Sequence, residues 1–401
     1  PDRTLLLRHH PATRDEQYVE LTETLANLEA EREAIRGRSA VTHIQEEREG
    51  QEPMAHMLMR GAYDRPGEAV KAATPAALHQ LPADAPRNRL GLAMWVVDPA
   101  NPLTARVTVN RFWQEIFGQG LVTTAEDFGV TGALPSHPKL LDWLATDLVE
   151  NGWNVKRLFK QILMCATYRQ SAIVSKAKLE ADPGNMLLSR GPRFRMDAEM
   201  VRDYSLAVSG LLSPRMFGPG TKPYQPEDIW NVVGLPGGDT RDYKQDTGEN
   251  LYRRTVYNFW KRMAPPPNLE AFNAPSREVC VVSRERTNTP LQALVTLNDP
   301  QFVEAARQLA ENALKRCDDD RKVLESICRQ VLCRPLSDDE RGILLTAKTD
   351  FLSHYRQNPD DAQALIEIGV SQVDPGLEPV QLAAWTMICN QVINLDETLN
   401  K

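Results

Sequence analysis

Basic and aromatic side chains concentrate between residues 251 and 290, and they are the residues of this chain best suited to bind a charged ligand. The stretch carries seven basic against three acidic residues. Guanidinium groups bind carboxylate, sulfate or phosphate through paired hydrogen bonds, and aromatic faces stack on sugar rings. We therefore predict a site for an anionic glycan, built from Arg253, Arg254, Lys261, Arg277, Arg286, Tyr252 and Trp260.

The alternative is that these arginines brace the fold from within. Glu249, Glu278 and Glu285 lie close to them in sequence, and the C-terminal third of the chain is acidic. An enzyme would bring a carboxylate or histidine with a perturbed pKa into a cleft beside the arginines, whereas a scaffold would pair and bury them. Both alternatives are compatible with the sequence.

A second candidate cleft is formed by Arg106, Asn110 and Trp113, which share one helix face at i, i+4 and i+7, together with His137. Polar groups beside an indole could line a ligand cleft. The simpler hypothesis is that Arg106 and Asn110 tie this helix to the loop at 123–129. His137 stands at a predicted helix start, where capping is the simpler role.

Composition and motifs exclude several classes of function. The formal net charge of -7 argues against non-specific binding of nucleic acid, which needs a phosphate-neutralising face. No apolar run approaches the ~18 residues that a membrane span requires. The six cysteines show neither C-x-x-C nor C-x-x-C-H spacing, so we predict no metal site and no covalent haem in this chain.

Three helices are predicted in the stretch 101–170, around which the rest of the chain is organised. Asn101 can cap the first helix, which Gly118 closes. The second begins near residues 136–138, and Asn154 caps the third. Such well-marked helices define the fold class but indicate no reaction.

The whole chain is predicted to be a mostly α, multi-helix globular protein with a small β-hairpin insert. Residues 251–260 are rich in aromatic and β-branched side chains and read as a strand that pairs with 278–283. The predicted organisation has three parts: a helical linker or the end of a preceding domain at 1–53, an ordered connector at 54–100, and a helical domain at 101–401 with its β insert near 251–284.

An amphipathic helix is predicted at 14–36. Its apolar side chains Tyr18, Leu21, Leu25 and Leu28 recur at helical spacing. A protein–protein docking surface on this helix is a further hypothesis, and it predicts that the apolar stripe is exposed.

Several blocks, taken together and in order, resemble a known family. They are 60–70 (RGAYDRPGEAV), 101–170, Tyr252-Arg253-Arg254, Lys261-Arg262, 272–280 (FNAPSREVC) and 286–294 (RTNTPLQAL). The family is the planctomycete-specific C-terminal domain of unknown function, and the likeness covers residues 54–401. One departure is Asn273, where the family pattern has an aspartate.

The resemblance implies a cellular context and no settled activity. Members occur in large exported proteins that often carry a c-type cytochrome domain, so it implies an exported or periplasmic location, upstream domains of the same polypeptide as partners, and haem in an upstream domain only. Our leading hypothesis is a scaffold module that also binds an anionic polysaccharide. The alternatives are an enzyme acting on glycans and a redox-linked enzyme that receives electrons from an upstream cytochrome domain.

Overall fold

The computed structural model describes residues 15–39, 41–46, 50, 54–231, 241 and 243–400. The chain divides into two compact units, one formed by 1–76 with 80–92 and the other by 77–79 with 93–401. The described residues are mainly α-helical and include one two-stranded antiparallel sheet. The predicted fold class is therefore confirmed, while the predicted domain boundaries stay predictions.

The first unit contains a long helix and a hairpin. Helix α1 spans Glu16–Arg38 and is capped by Asp15, whose Oδ1 accepts hydrogen bonds from the backbone N–H groups of Gln17 and Tyr18 at 3.0 and 3.1 Å. Strands β1 (Ala55–Leu58) and β2 (Pro66–Val70) pair antiparallel. No residue of α1 is buried, so its apolar side chains contribute nothing to a core within the described residues.

The remaining helices follow in chain order: α2 (Arg89–Val97), α3 (Thr104–Phe117), α4 (Pro138–Glu150), α5 (Val155–Met164), α6 (Lys176–Ala181), α7 (Ala198–Ser209), α8 (Pro267–Glu270), α9 (Pro290–Asn298), α10 (Pro300–Arg316), α11 (Asp320–Leu332), α12 (Asp338–Gln357), α13 (Pro359–Ile366), α14 (Pro379–Ile393) and α15 (Asp396–Leu399).

Helices α3, α4 and α5 confirm the predicted organising stretch. The Oδ1 of Asn101 accepts from the N–H groups of Leu103 and Thr104, where α3 begins, and Gly118 ends the helix in the left-handed conformation that glycine adopts readily. Asn154 caps α5 through the N–H of Arg157. The three helices bury a shared apolar core that includes Trp113 and Leu158.

The largest apolar cluster forms where α10, α11, α12 and α14 pack together. Helix α14 lies inside it, and the side chains of Leu382, Trp385, Ile388 and Cys389 are fully buried. Ser337 and Glu340 form a capping box at the start of α12. A helix that is apolar on most of its faces has to be surrounded, and α14 occupies that central place.

The predicted β insert near 251–284 is wrong. Residues 251–257 lie in two short 3-10 turns, Gly248–Tyr252 and Thr255–Tyr257, and 279–283 form no strand. The only hairpin among the described residues is β1–β2. The carbonyls of Leu251 and Arg253 accept hydrogen bonds from the guanidinium of Arg202, so they have no need of a neighbouring strand.

Candidate functional site

Arg202 of α7 fixes the segment that contains most of the predicted site. Its guanidinium donates to the carbonyls of Leu251 and Arg253, both at 2.8 Å, and to Oε1 of Gln301 at 2.7 Å. The neighbouring Asp203 accepts from the backbone N–H of Thr255 at 2.8 Å. Burial lowers the pKa of Arg202 to about 10, so it stays charged at neutral pH. This one side chain positions residues 251–255.

Arg253 is buried, with only 1% of its surface exposed. It donates to the carbonyl oxygens of Pro219 and Phe217, and its guanidinium lies 3.8 Å from the centre of the Tyr257 ring. Arg254, the next residue, is exposed. The two arginines therefore differ in kind: Arg253 braces the loop before it, while Arg254 faces solvent.

Tyr252 joins the same segment to α10. Its hydroxyl donates to Oε1 of Glu304 at 2.9 Å, and the hydroxyl of Tyr224 donates to Oε2, also at 2.9 Å. Burial and the Glu304 carboxylate raise the pKa of Tyr252 to about 12. Glu304 also accepts from the N–H groups of Val370 and Ser371. This fully buried carboxylate therefore binds three separate stretches of the chain, at Tyr224, Tyr252 and 370–371.

Sequence reasoning missed Glu304. The available signal was its spacing from Arg307 and Glu311, because i, i+3 and i+7 share one helix face. Arg307 and Glu311 form an ion pair, and Arg307 also donates to the carbonyl of Ser371. All three side chains are buried, so α10 carries a charged stripe inside the fold rather than on its surface.

Arg284 and Arg286 are also engaged internally. Arg284 pairs with Glu199 at 2.6 Å, and Arg286 donates to the carbonyl of Gly118 at 2.9 Å. The Nε of Arg286 lies 3.5 Å from Oδ1 of Asp197. Asp197 occupies the N-cap position of α7, but its side chain makes no capping hydrogen bond. The segment 284–286 thus connects the end of α3 to the start of α7.

The acids proposed as partners have other contacts. Glu278 pairs with Arg262 at 3.3 Å on the surface, and Glu249 accepts from the hydroxyl of Ser213. Asn273, the residue that departs from the family pattern, donates to the carbonyl of Glu285 and to the hydroxyl of Thr287. The bracing role predicted for the arginines is therefore present, with Glu199 and Asp197 as carboxylate partners.

Four residues form an accessible group that we call the basic patch: Trp260, Lys261, Arg262 and Arg277. The guanidinium of Arg277 is exposed and lies 4.6 Å from the centre of the Trp260 ring. The ammonium of Lys261 lies 5.0 Å from the ring of the buried Trp230. These contacts hold cations over aromatic faces.

The residues predicted to line the second cleft lie partly in the core and partly at the surface. Asn110 is fully buried and exchanges two hydrogen bonds with the backbone of Val122, at 2.8 and 3.0 Å. Trp113 stacks on a core aromatic ring, and Arg106 pairs with Asp142 at 2.6 Å. His137 occupies the N-cap position of α4, as expected, although its side chain makes no capping hydrogen bond.

Asn110 thus braces α3 against Val122, one residue before the predicted loop at 123–129, whereas Arg106 braces it against α4 and not against that loop. A ligand role for the four residues stays a prediction. Within the described residues, no three His, Cys, Asp or Glu side chains converge on a point that could hold a metal ion. No described helix has the length and apolar character needed to cross a membrane.

The fold and its contacts define a helical module in which polar side chains fasten long irregular segments to helices. Residues 88–347 match the family described as protein of unknown function PSD1 (DUF1553), and the chain belongs to that family. No curated protein matches the chain. No solved structure matches it. The family resemblance found in the sequence is confirmed, whereas the planctomycete and cytochrome associations stay predictions.

Proposed function

We propose that this chain is a non-catalytic scaffold module of a larger exported polypeptide and that its basic patch binds an anionic polysaccharide. The observation that carries the binding proposal is the exposed guanidinium of Arg277 over the Trp260 ring. The scaffold part is supported by the internal use of Arg202, Arg253 and Arg286, which fasten segments of backbone. Export and neighbouring domains rest on the family resemblance.

The chemistry of the basic patch suits sulfate or carboxylate groups on a sugar chain. Contact with the Trp260 ring restrains the guanidinium of Arg277, and this exposed group can still donate hydrogen bonds to a ligand. Ordering a side chain before binding lowers the entropic cost of binding. The pair between Arg262 and Glu278 is exposed, and such pairs contribute only about 0–1 kcal/mol, so a ligand anion can compete for Arg262.

Of the arginines predicted from the sequence to bind the ligand, Arg254 stays a proposed contact, whereas Arg253 and Arg286 do not. Arg254 is exposed and six residues before Trp260. Arg253 and Arg286 have their donor groups directed at backbone carbonyls and, for Arg286, at Asp197. Binding through a few exposed cations weakens as salt screens them, with a Debye length of about 8 Å at physiological ionic strength.

The test is titration of the purified chain with dextran, polygalacturonate and dextran sulfate. The wild-type chain should bind the two anionic polymers saturably at low salt and should not bind dextran. The triple variant Arg254→Gln/Arg262→Gln/Arg277→Gln should bind at least about tenfold more weakly, equivalent to about 1.4 kcal/mol. Its melting temperature should stay close to that of the wild type, because all three side chains are exposed.

A matched variant separates a defined site from general attraction to charge. Lys139, Lys156 and Lys160 are exposed on α4 and α5, and Lys139→Gln/Lys156→Gln/Lys160→Gln changes the net charge by the same amount. Equal weakening in both triple variants would contradict a site at the basic patch. Release of reducing ends from a bound polymer would instead favour the alternative of an enzyme acting on glycans.

A further inference from the structure

Helix α1 presents an exposed apolar stripe with a heptad repeat. The stripe positions are Tyr18, Leu21, Leu25, Leu28, Arg32 and Ile35, separated alternately by three and four residues. The apolar side chains among them are 42 to 63% exposed, and α1 buries no residue. Spacing of this kind places side chains along one seam, which a second helix can cover. The exposure predicted for a docking helix is therefore present.

The stripe is symmetric about its centre, between Leu25 and Leu28. In an antiparallel pair of copies, Tyr18 of one copy lies opposite Ile35 of the other, and Leu25 lies opposite Leu28. Leu21 then lies opposite Arg32, whose methylene stem can cover the leucine while its guanidinium reaches water. Each of the six stripe positions of one copy therefore faces a stripe position of the other copy. A two-fold symmetric interface requires such reciprocal pairing.

The charges along α1 favour the antiparallel arrangement over the parallel one. Its first half, 15–26, carries four acidic residues (15, 16, 20 and 23) and no basic one, whereas its second half, 27–38, carries three acidic residues (29, 31 and 33) and three basic ones (32, 36 and 38). A parallel pair would place Arg32 against Arg32 in the seam and acid against acid at the start. An antiparallel pair instead places the acidic half of each copy beside the half of the other that carries its basic side chains, which lowers the electrostatic energy relative to the parallel pair.

We infer that α1 is a self-association element, through which two copies of this chain pair antiparallel. The stripe is about 26 Å long at 1.5 Å per residue. An interface of this size falls among the smaller specific contacts, so the dimer should form and dissociate with concentration. The inference is independent of polysaccharide binding, because none of the residues that carry it belongs to the basic patch.

Sedimentation equilibrium of the full chain tests the association. The apparent mass should rise with concentration from 45.1 kDa toward twice that value. The variant Leu25→Glu/Leu28→Glu should stay monomeric with an unchanged melting temperature, since α1 contributes no buried residue. The control Ala26→Glu/Ala30→Glu adds the same charge outside the stripe and should still dimerise.

Disulfide trapping tests the orientation. The exposed native thiols are first removed by Cys280→Ser/Cys333→Ser. A Tyr18→Cys copy mixed with an Ile35→Cys copy should then cross-link under mild oxidation, whereas two Tyr18→Cys copies should not, because an antiparallel pair separates them by about 26 Å.

Three results would overturn the inference. The first is a wild-type chain that stays monomeric at every concentration reached, which would leave α1 to a different partner. The second is a dimer that survives Leu25→Glu/Leu28→Glu. The third is efficient cross-linking between two Tyr18→Cys copies, which would show a parallel pair.

Discussion

The C-terminal helices α11, α12 and α14 hold together through an apolar core, whereas the described residues of 211–289 keep their shape largely through hydrogen bonds from arginine and tyrosine side chains. In the first region Ile327, Trp385 and Ile388 are completely buried among other apolar groups. In the second region Arg253 is buried nearly as completely but donates to backbone carbonyls, and the equally buried Arg202 of α7 donates to the carbonyls of Leu251 and Arg253.

The difference follows from how each backbone satisfies its own polar groups. A helix pairs its N–H and C=O groups internally and needs only a place for its apolar face. Irregular backbone leaves carbonyls without partners, and a buried unpaired carbonyl costs about 1–3 kcal/mol. A guanidinium group has five donors, so one arginine can satisfy several carbonyls of an irregular segment.

The largest effect is expected when Arg202 loses its donors. Arg202→Met keeps an apolar stem but leaves the carbonyls of Leu251 and Arg253 unpaired and Asp203 without its neighbouring positive charge. We expect the free energy of unfolding to fall by about 3–5 kcal/mol. Hydrogen exchange should rise first at 251–257, before α14 is affected. Denaturant titration and exchange mass spectrometry measure the two effects.

The control for this prediction is Arg329→Met on α11. Arg329 pairs only with the exposed Glu325 at 2.9 Å among the described residues, so its loss should cost less than about 1 kcal/mol. Similar losses for Arg202→Met and Arg329→Met would contradict the view that buried arginines hold the irregular region.

The second effect concerns a loop of the C-terminal region that is fastened by polar contacts. Gly369 has a φ of +98°, and an added Cβ would lie 2.4 Å from the carboxyl carbon of Glu304. Gly369→Ala should therefore cost about 1–3 kcal/mol through strain and displacement of that carboxylate. Thermal unfolding measures the loss, and exchange should increase at 367–374.

Gly342→Ala is the matched control for the glycine substitution. Gly342 lies within α12 with open space around its Cα, so alanine there should stabilise the chain by up to about 1 kcal/mol. Equal stability of the two alanine variants would mean that the Glu304 cluster tolerates displacement and is not a fastening point.

A smaller and more evenly distributed effect is expected in the apolar region. Ile388→Val removes one methylene from the centre of α14 and should cost about 0.5–1.5 kcal/mol. Exchange should increase together across the helices that line the cluster, because no single polar contact holds them. Ile343→Val, at a side chain 68% exposed, should change the stability by less than about 0.5 kcal/mol. Exchange confined to one helix would contradict this picture.

Helix limits could be predicted from sequence because their signals are local. Asn154, Thr289 and Ser337 each cap a helix through the N–H group three residues further along. Residues 251–260 have strand-forming side chains, yet they form turns. Strand propensity is a weak signal when donors from elsewhere satisfy the backbone. Those donors come from Arg202, about fifty residues away in sequence.

The candidate site shows the same limit. The sequence locates a cluster of arginines, but whether each one is accessible depends on partners far along the chain. The carbonyl that receives Arg286 belongs to Gly118, 168 residues earlier. Arg277 stays exposed because its contact is the ring of Trp260. The residue types therefore predict what kind of ligand could bind, whereas the contacts within the fold determine which arginines are accessible to a ligand.

The smallest effect should come from the surface ion pair of Arg334 and Glu340, whose contribution to stability depends on pH. Arg334 and the backbone N–H of Ser337 lower the pKa of Glu340 from 4.5 to about 2. A folded-state pKa below the unfolded value stabilises the chain above pH 4.5, and this contribution disappears as pH falls toward 2. Glu340 is 39% exposed and Arg334 is 36% exposed, so solvent screening limits the effect to about 1 kcal/mol or less.

Glu340→Gln should make the melting temperature vary less with pH between about pH 5 and pH 2 than it does in the wild type, whereas Asp339→Asn on the exposed side of the same turn should not. An unchanged slope in Glu340→Gln would show that the acid sensitivity of the chain arises in its buried polar network instead.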